Sequence, residues 1–266
     1  MQKRGQVALF VIVGILIIIA IALLFFFRGK IVDTGKQQID TNQFLSSTIK
    51  NIERDVLSKC VTSSTEDIVK SILVNGGSIK ENINSLTYRE KKYRILCQAM
   101  ENTNQCLSSP LILSSIEQNM NEELNKKITN CLKFDQFEDN SYELIKPKDF
   151  NVKLEMRKNS IVADLEYNLK IKRGENIVET EGIRKNLEIP LSDLFNAAND
   201  VLNRRSLFGN FDQVSYGVNS GNKYSIIIER PYPDEIYDVS LVNNPEYHLL
   251  FSIEGNGRFD RFETQR

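Results

Sequence analysis

The spacing of hydrophobic positions changes repeatedly along this chain, and each change predicts a different kind of element. From Val7 to Phe27 no charged, amide or hydroxyl side chain interrupts the apolar run. At about 1.5 Å per residue it would measure about 31 Å as a helix, matching a bilayer's hydrocarbon core. It is longer than a secretory-signal core and ends in Phe25-Phe26-Phe27-Arg28 rather than in small residues. The pattern therefore predicts a transmembrane helix over 7–27, after a charged leader over 1–6. Gly29 and Gly35 bracket a connector over 28–36.

Beyond the connector the spacing becomes three-and-four. Leu45, Ile49, Ile52, Val56 and Cys60 form one helical stripe, and a second helix is predicted to start at Ser63 or Ser64 and stop at Asn75-Gly76-Gly77. Tyr93 to Cys97 predicts a short strand. Ser114 and Glu117 have the spacing of a capping box, ahead of a stripe of Ile116, Met120, Leu124, Ile128 and Leu132. These features define a helical section over 37–135.

A period of two takes over at Phe150, Val152, Leu154 and Met156 and continues after a turn at Lys158-Asn159-Ser160 through Ile161 to Ile171. A third strand is predicted over about 177–189, with Pro190 closing it and Ser192 or Asp193 capping a helix through Leu202. Residues 209–221 read as a loop. Three more strands follow at Tyr224–Glu229, Glu235–Val242 and Tyr247–Ile253, and a polar, mobile tail over 255–266. Helices followed by strands over 146–254 give an α+β class with antiparallel sheet and one packed helix, in one core or two.

Charge and cysteine usage add topology. The chain is −1 overall; Lys3, Arg4, Arg28 and Lys30 precede every acid, which leaves −5 on residues 31–266. That balance excludes the basic footprint of a nucleic-acid binder. The positive residues flank the apolar run almost equally, so the cysteines decide orientation. Cys60, Cys97, Cys106 and Cys131 all follow the run, an even number suited to two disulfides in an oxidising compartment. The expectation is a cytoplasmic N-terminus in a cell membrane, with the folded part outside.

Two resemblances refine this. Lys3-Arg4-Gly5-Gln6 ahead of an apolar helix resembles an archaeal class III, type IV pilin-like signal. That implies cutting between Gly5 and Gln6 by a prepilin-type peptidase, although Phe10 stands where such chains usually carry an acid. Asp55-Val56-Leu57-Ser58-Lys59-Cys60, Leu73-Val74-Asn75-Gly76-Gly77, Pro110 and Ile128-Thr129-Asn130-Cys131 are similar to a family of N-terminally anchored proteins with paired cysteines from small-genome archaea. That similarity implies Cys60 with Cys131 and Cys97 with Cys106.

Candidate chemistry is sparse. Ser47 and Lys50 have a Ser-x-x-Lys spacing, without the other elements that would make a nucleophile and its base. His248 is the lone histidine, and four cysteines without a Cys-x-x-Cys pair argue against zinc. The acids Glu229, Asp234, Glu235 and Asp238 cluster around Pro231-Tyr232-Pro233 without EF-hand spacing. Tyr216, Tyr224, Tyr232, Tyr237 and Tyr247 recur through the strands; of these Tyr232 and Tyr237, with Asp234 and Asp238, form the candidate contact surface. No catalytic, metal or cofactor site is nominated. The expected function is a non-enzymatic, membrane-anchored surface protein, pilin-like or a partner of itself or of other envelope proteins. The alternative is an extracytoplasmic ligand-binding or envelope-maintenance module.

Overall fold

The computed structural model describes residues 17–19, 21–23, 41–80, 84–132 and 134–256. Gly5, Gln6, most of the apolar run, the connector and the tail from 257 onward lie outside them. Residues 17–19 and 21–23 are helical. Among the described residues, no helix is long and apolar enough to cross a membrane.

In chain order the elements are helix α1 (41–52), a π-helical turn Glu53–Ser58, α2 (Lys59–Val74), β1 (Ser85–Tyr88), β2 (Lys91–Ala99), β3 (Cys106–Ser108) and α3 (Leu113–Cys131). There follow a 3-10 turn Phe134–Phe137, β4 (Glu143–Ile145), β5 (Asn151–Met156), β6 (Ile161–Arg173) and β7 (Asn176–Leu187). The chain then adds α4 (Leu191–Phe208), α5 (Gln213–Asn219), β8 (Tyr224–Glu229), β9 (Glu235–Leu241) and β10 (Asn244–Ile253). The class is α+β, in two compact units that interleave along the sequence.

One unit takes residues 1–52, 135–146 and 169–180. Here β4 pairs antiparallel with the far end of β6, Leu144 opposite Ile171. The Phe44 ring lies 6.5 Å from that of Tyr142, with the Arg173 guanidinium 5.1 Å over its face. The other unit holds residues 53–134, 147–168 and 181–266. Its larger sheet runs β1-β2-β10-β9-β8, with β3 on β2. This sheet is mixed rather than antiparallel throughout, because β10 pairs parallel with β2, Ser252 opposite Ile95. Helix α2 packs on β10, and α4 on β9, β2 and β3. Val239, Ser240 and Leu241 are consecutively buried, as are Phe251, Ser252 and Ile253, so both sheet faces are covered at its centre. Helix α3 packs on α2 and on β5, where alternation buries Val152 and Leu154.

Several predicted boundaries move for identifiable reasons. No new helix begins at Ser63, whose hydroxyl donates to the Cys60 carbonyl at 3.3 Å, so α2 runs through it. Gly76 and Gly77 end α2 as predicted, at φ 59° and 84°, with Gly77 N–H reaching Ile72 O at 2.8 Å. The capping box at α3 does not form. Ile112 is the N-cap, and the Glu117 carboxylate instead accepts the Met156 N–H at 2.7 Å. Pro190, not Ser192 or Asp193, precedes α4; Asp193 is buried and paired with Lys223 Nζ at 2.6 Å. The 209–221 segment is not all loop: Asp212 accepts from Val214 N and Ser215 N and starts α5. Strands β1, β3 and β4 were not predicted, and the first two put part of the larger sheet inside the helical section.

Candidate functional site

The disulfides join Cys60 to Cys131 and Cys97 to Cys106, with Cα separations of 6.0 and 5.4 Å. The first ties α2 to the last residue of α3; the second ties β2 to β3. Both lie within the unit that carries the larger sheet.

A polar cleft of about 410 Å³ opens at one end of this sheet. Four segments supply its walls: the approach to β3, the end of α4, the β8–β9 loop and the residues after β10. Backbone constraints bring them together. Gly209 caps α4 at φ +70°, and a Cβ there would stand 2.9 Å from Asn104 Cβ. At Gly255 a Cβ would sit 1.7 Å from the Pro233 carbonyl oxygen, so only glycine allows the post-β10 chain to lie against the β8–β9 loop. The Asp234 carboxylate accepts the Gly255 N–H at 3.0 Å and holds the contact.

Charge inside the cleft is paired. Glu235 stands between two arginines, 3.4 Å from Arg205 Nε and 3.1 Å from Arg230 Nε, and also accepts the Tyr237 hydroxyl at 2.7 Å. Arg205 and Glu235 are only 14% and 15% exposed. The Arg205 Nε contact lacks hydrogen-bond alignment, while Arg205 Nη1 donates to the Gly209 carbonyl. Burial, and then the charge of Glu235, pushes the Tyr237 phenol well above its ordinary value. Glu254 accepts the Ala99 N–H at 3.2 Å. The rim carries Phe208 and Tyr232, 70% and 62% exposed.

No known protein family, curated protein or solved structure matches this chain.

Of the predicted contact residues, the cleft takes Tyr232 and Asp234 but not the other two. Tyr237 is a correction. Its side chain is fully buried, stacked 5.1 Å from Phe251, because the alternation of β9 turns it into the core. Asp238 points to the opposite face of β9 and meets His248 Nδ1 at 2.7 Å. Tyr216 is buried against Phe211, so the tyrosines form no common surface. Glu229 pairs with Arg89 at 3.2 Å, so of the four acids only Asp234 and Glu235 share the cleft. Among the described residues, no cluster of three or more His, Cys, Asp or Glu side chains could hold a metal. Ser47 donates to the Phe44 carbonyl at 2.8 Å, an ordinary bond within a helix. Sequence reasoning missed Arg205, Arg230, Glu254 and the two framing glycines, which are too far apart to share a motif. The only local signals were Gly209 after a helical stripe and Gly255 after a strand.

Proposed function

We propose that this chain is a membrane-anchored protein whose disulfide-stapled unit works outside the cytoplasm as a non-enzymatic binding module. The observation that carries the binding reading is the polar cleft walled by Arg205, Arg230, Asp234 and Glu235. A walled cavity with convergent polar groups favours ligand capture over a flat contact face. Its lining offers no serine, threonine, cysteine, histidine or lysine, and its carboxylates are engaged by Arg205, Arg230 and backbone N–H groups. Two disulfides within one unit support the extracytoplasmic placement. The apolar run Val7 to Phe27 is the support for an anchor. A pilin-like role in assembly rests on the leader Lys3 to Gln6 alone, and replacing Gly5 tests it: blocked cleavage should abolish any filament.

The decisive experiment is intact-mass analysis of the full chain from native membranes, alkylated with and without prior reduction. Four cysteines that label only after reduction are the expected result. Four free thiols would place the unit in a reducing compartment and end this reading.

A further inference from the structure

The shorter disulfide bears directly on the cleft, and this inference rests on the binding-module reading. Cys97 and Cys106 bracket residues 98–105, the turn that carries Asn104 and Gln105 into the cleft wall. None of the bracketed residues is buried. Strand β3 adds little hold of its own. It has three residues, pairs only with β2 among the described strands, and leaves Leu107 65% exposed. Its one buried residue is Cys106. A ribbon this short, without an apolar face, is marginal in water.

Hydrogen bonds complete the wall. The Asn256 amide donates to the Met100 and Thr103 carbonyls at 3.0 and 3.4 Å, and the Glu254 carboxylate accepts the Ala99 N–H at 3.2 Å. The Gln105 amide donates to the Leu207 carbonyl at 2.8 Å. Each replaces a bond to water at small net gain, set against the entropy of ordering the turn. The Cys97–Cys106 bond removes much of that entropy beforehand, because it ties the far end of the turn to a fully buried residue of β2. The core does not depend on the turn in this way: its largest buried side chains, Phe195, Tyr237 and Phe251, belong to α4, β9 and β10. We propose that this disulfide is the positioning element of the cleft, and that the wall becomes ordered only when the bond is made. The bond forms by thiol–disulfide exchange, in which an external disulfide is reduced to two thiols as Cys97 and Cys106 are oxidised, one S–S bond breaking and one forming. Burial of both cysteines, 0% and 3% exposed, then shields it. A chain whose cysteines are still reduced therefore has its core but not its cleft, and binding competence arrives with oxidation.

The test is the backbone order parameter of each amide, from nitrogen-15 relaxation of the full chain in detergent micelles. Amides 99–105 report the wall, and those of β9 and α3 report the core. In the parent both should stand near about 0.85; in Cys97→Ala/Cys106→Ala the wall should fall below about 0.6 while the core keeps its value. Should the double variant not fold, Cys106→Ala alone, which retains the buried Cys97 sulfur, answers the same question. Cys60→Ala/Cys131→Ala should leave the wall as ordered as in the parent. A bond that merely stabilised the unit would lower its unfolding midpoint and leave the wall rigid, and that result would overturn the proposal. Loss of order in wall and core alike, or in the wall of the Cys60→Ala/Cys131→Ala variant, would overturn it too. Obtained on protein whose cysteines label only after reduction, these results leave the binding module standing; four free thiols in the native chain would remove both readings.

Discussion

Asn199 holds Leu111 by both ends of its amide: Oδ1 accepts the Leu111 N–H at 2.8 Å, and Nδ2 donates to the Leu111 carbonyl at 2.9 Å. Leu111 is itself buried, and its side chain lies where a Cβ on Gly77 would stand 2.4 Å from it. One side chain on α4 therefore fixes the backbone that leads into α3. Replacing it with alanine leaves a part-buried donor and acceptor without protein partners. Asn199→Ala should cost about 2 kcal/mol in urea unfolding. An unchanged midpoint would mean that water takes over both bonds.

The two disulfides close loops of very different length, with sequence separations of 71 and 9. On the chain-entropy account the long one contributes about 4 kcal/mol and the short one about 3. Replacing both members of each pair with alanine should therefore destabilise more at Cys60 and Cys131 than at Cys97 and Cys106. Denaturant midpoints compare the two. The reverse order would show that native packing around Cys97, which is fully buried, outweighs loop closure.

Glu235 is the hinge of charge in the cleft. Glu235→Gln keeps its shape but leaves Arg205 facing an uncharged amide in a largely buried position. The expected loss is about 2 kcal/mol, below the 3–5 typical of a fully buried pair, because Arg230 is 63% exposed. Thermal unfolding of Glu235→Gln beside Arg230→Gln separates the contributions. Equal losses would contradict the primacy of the Arg205 contact.

Tyr237 gives the stability of this unit an alkaline limit. Its folded phenol titrates above the ordinary value of 10.0, through burial first and the charge of Glu235 second. Below that pH both folded and unfolded chains keep the proton, and the stabilisation is complete. Above it the unfolded chain releases the proton and the folded chain cannot, so stability falls as pH rises, by about 1.4 kcal/mol per unit for one phenol. Tyr216, raised by burial and by Asp200, adds to the slope. Tyr237→Phe should flatten the decline above pH 10 in denaturant midpoints; an identical slope would sink the assignment.

Period and burial were legible wherever one face of an element decided its fate. Val152 and Leu154, or Ile116, Met120, Leu124 and Ile128, announce their elements because water excludes them from the other face. Caps were not legible, since local spacing competes with distant demand. Glu117 has the right offset from Ser114, yet it is taken by the Met156 N–H, 39 residues away. Three-residue strands such as β3 are too short to show a period. The cleft was half legible: Tyr232 and Asp234 stand beside prolines that mark a turn, but Arg205 and Glu254 reach the cleft only through tertiary packing. Asp212 three residues before Ser215 was a readable start for α5 that composition obscured.

The place of β10 carries a consequence for how the molecule is made. This strand lies between β2 and β9, so it is the seam that joins β1–β3 to β8–β9. A ribosome releases residues 85–108 long before residues 244–253. Until β10 emerges, the β1–β3 fragment keeps an open edge on β2, the arrangement that invites pairing with the wrong neighbour. Strand order alone therefore defers closure of this core to a late moment of synthesis and leaves the β2 edge unpaired until then.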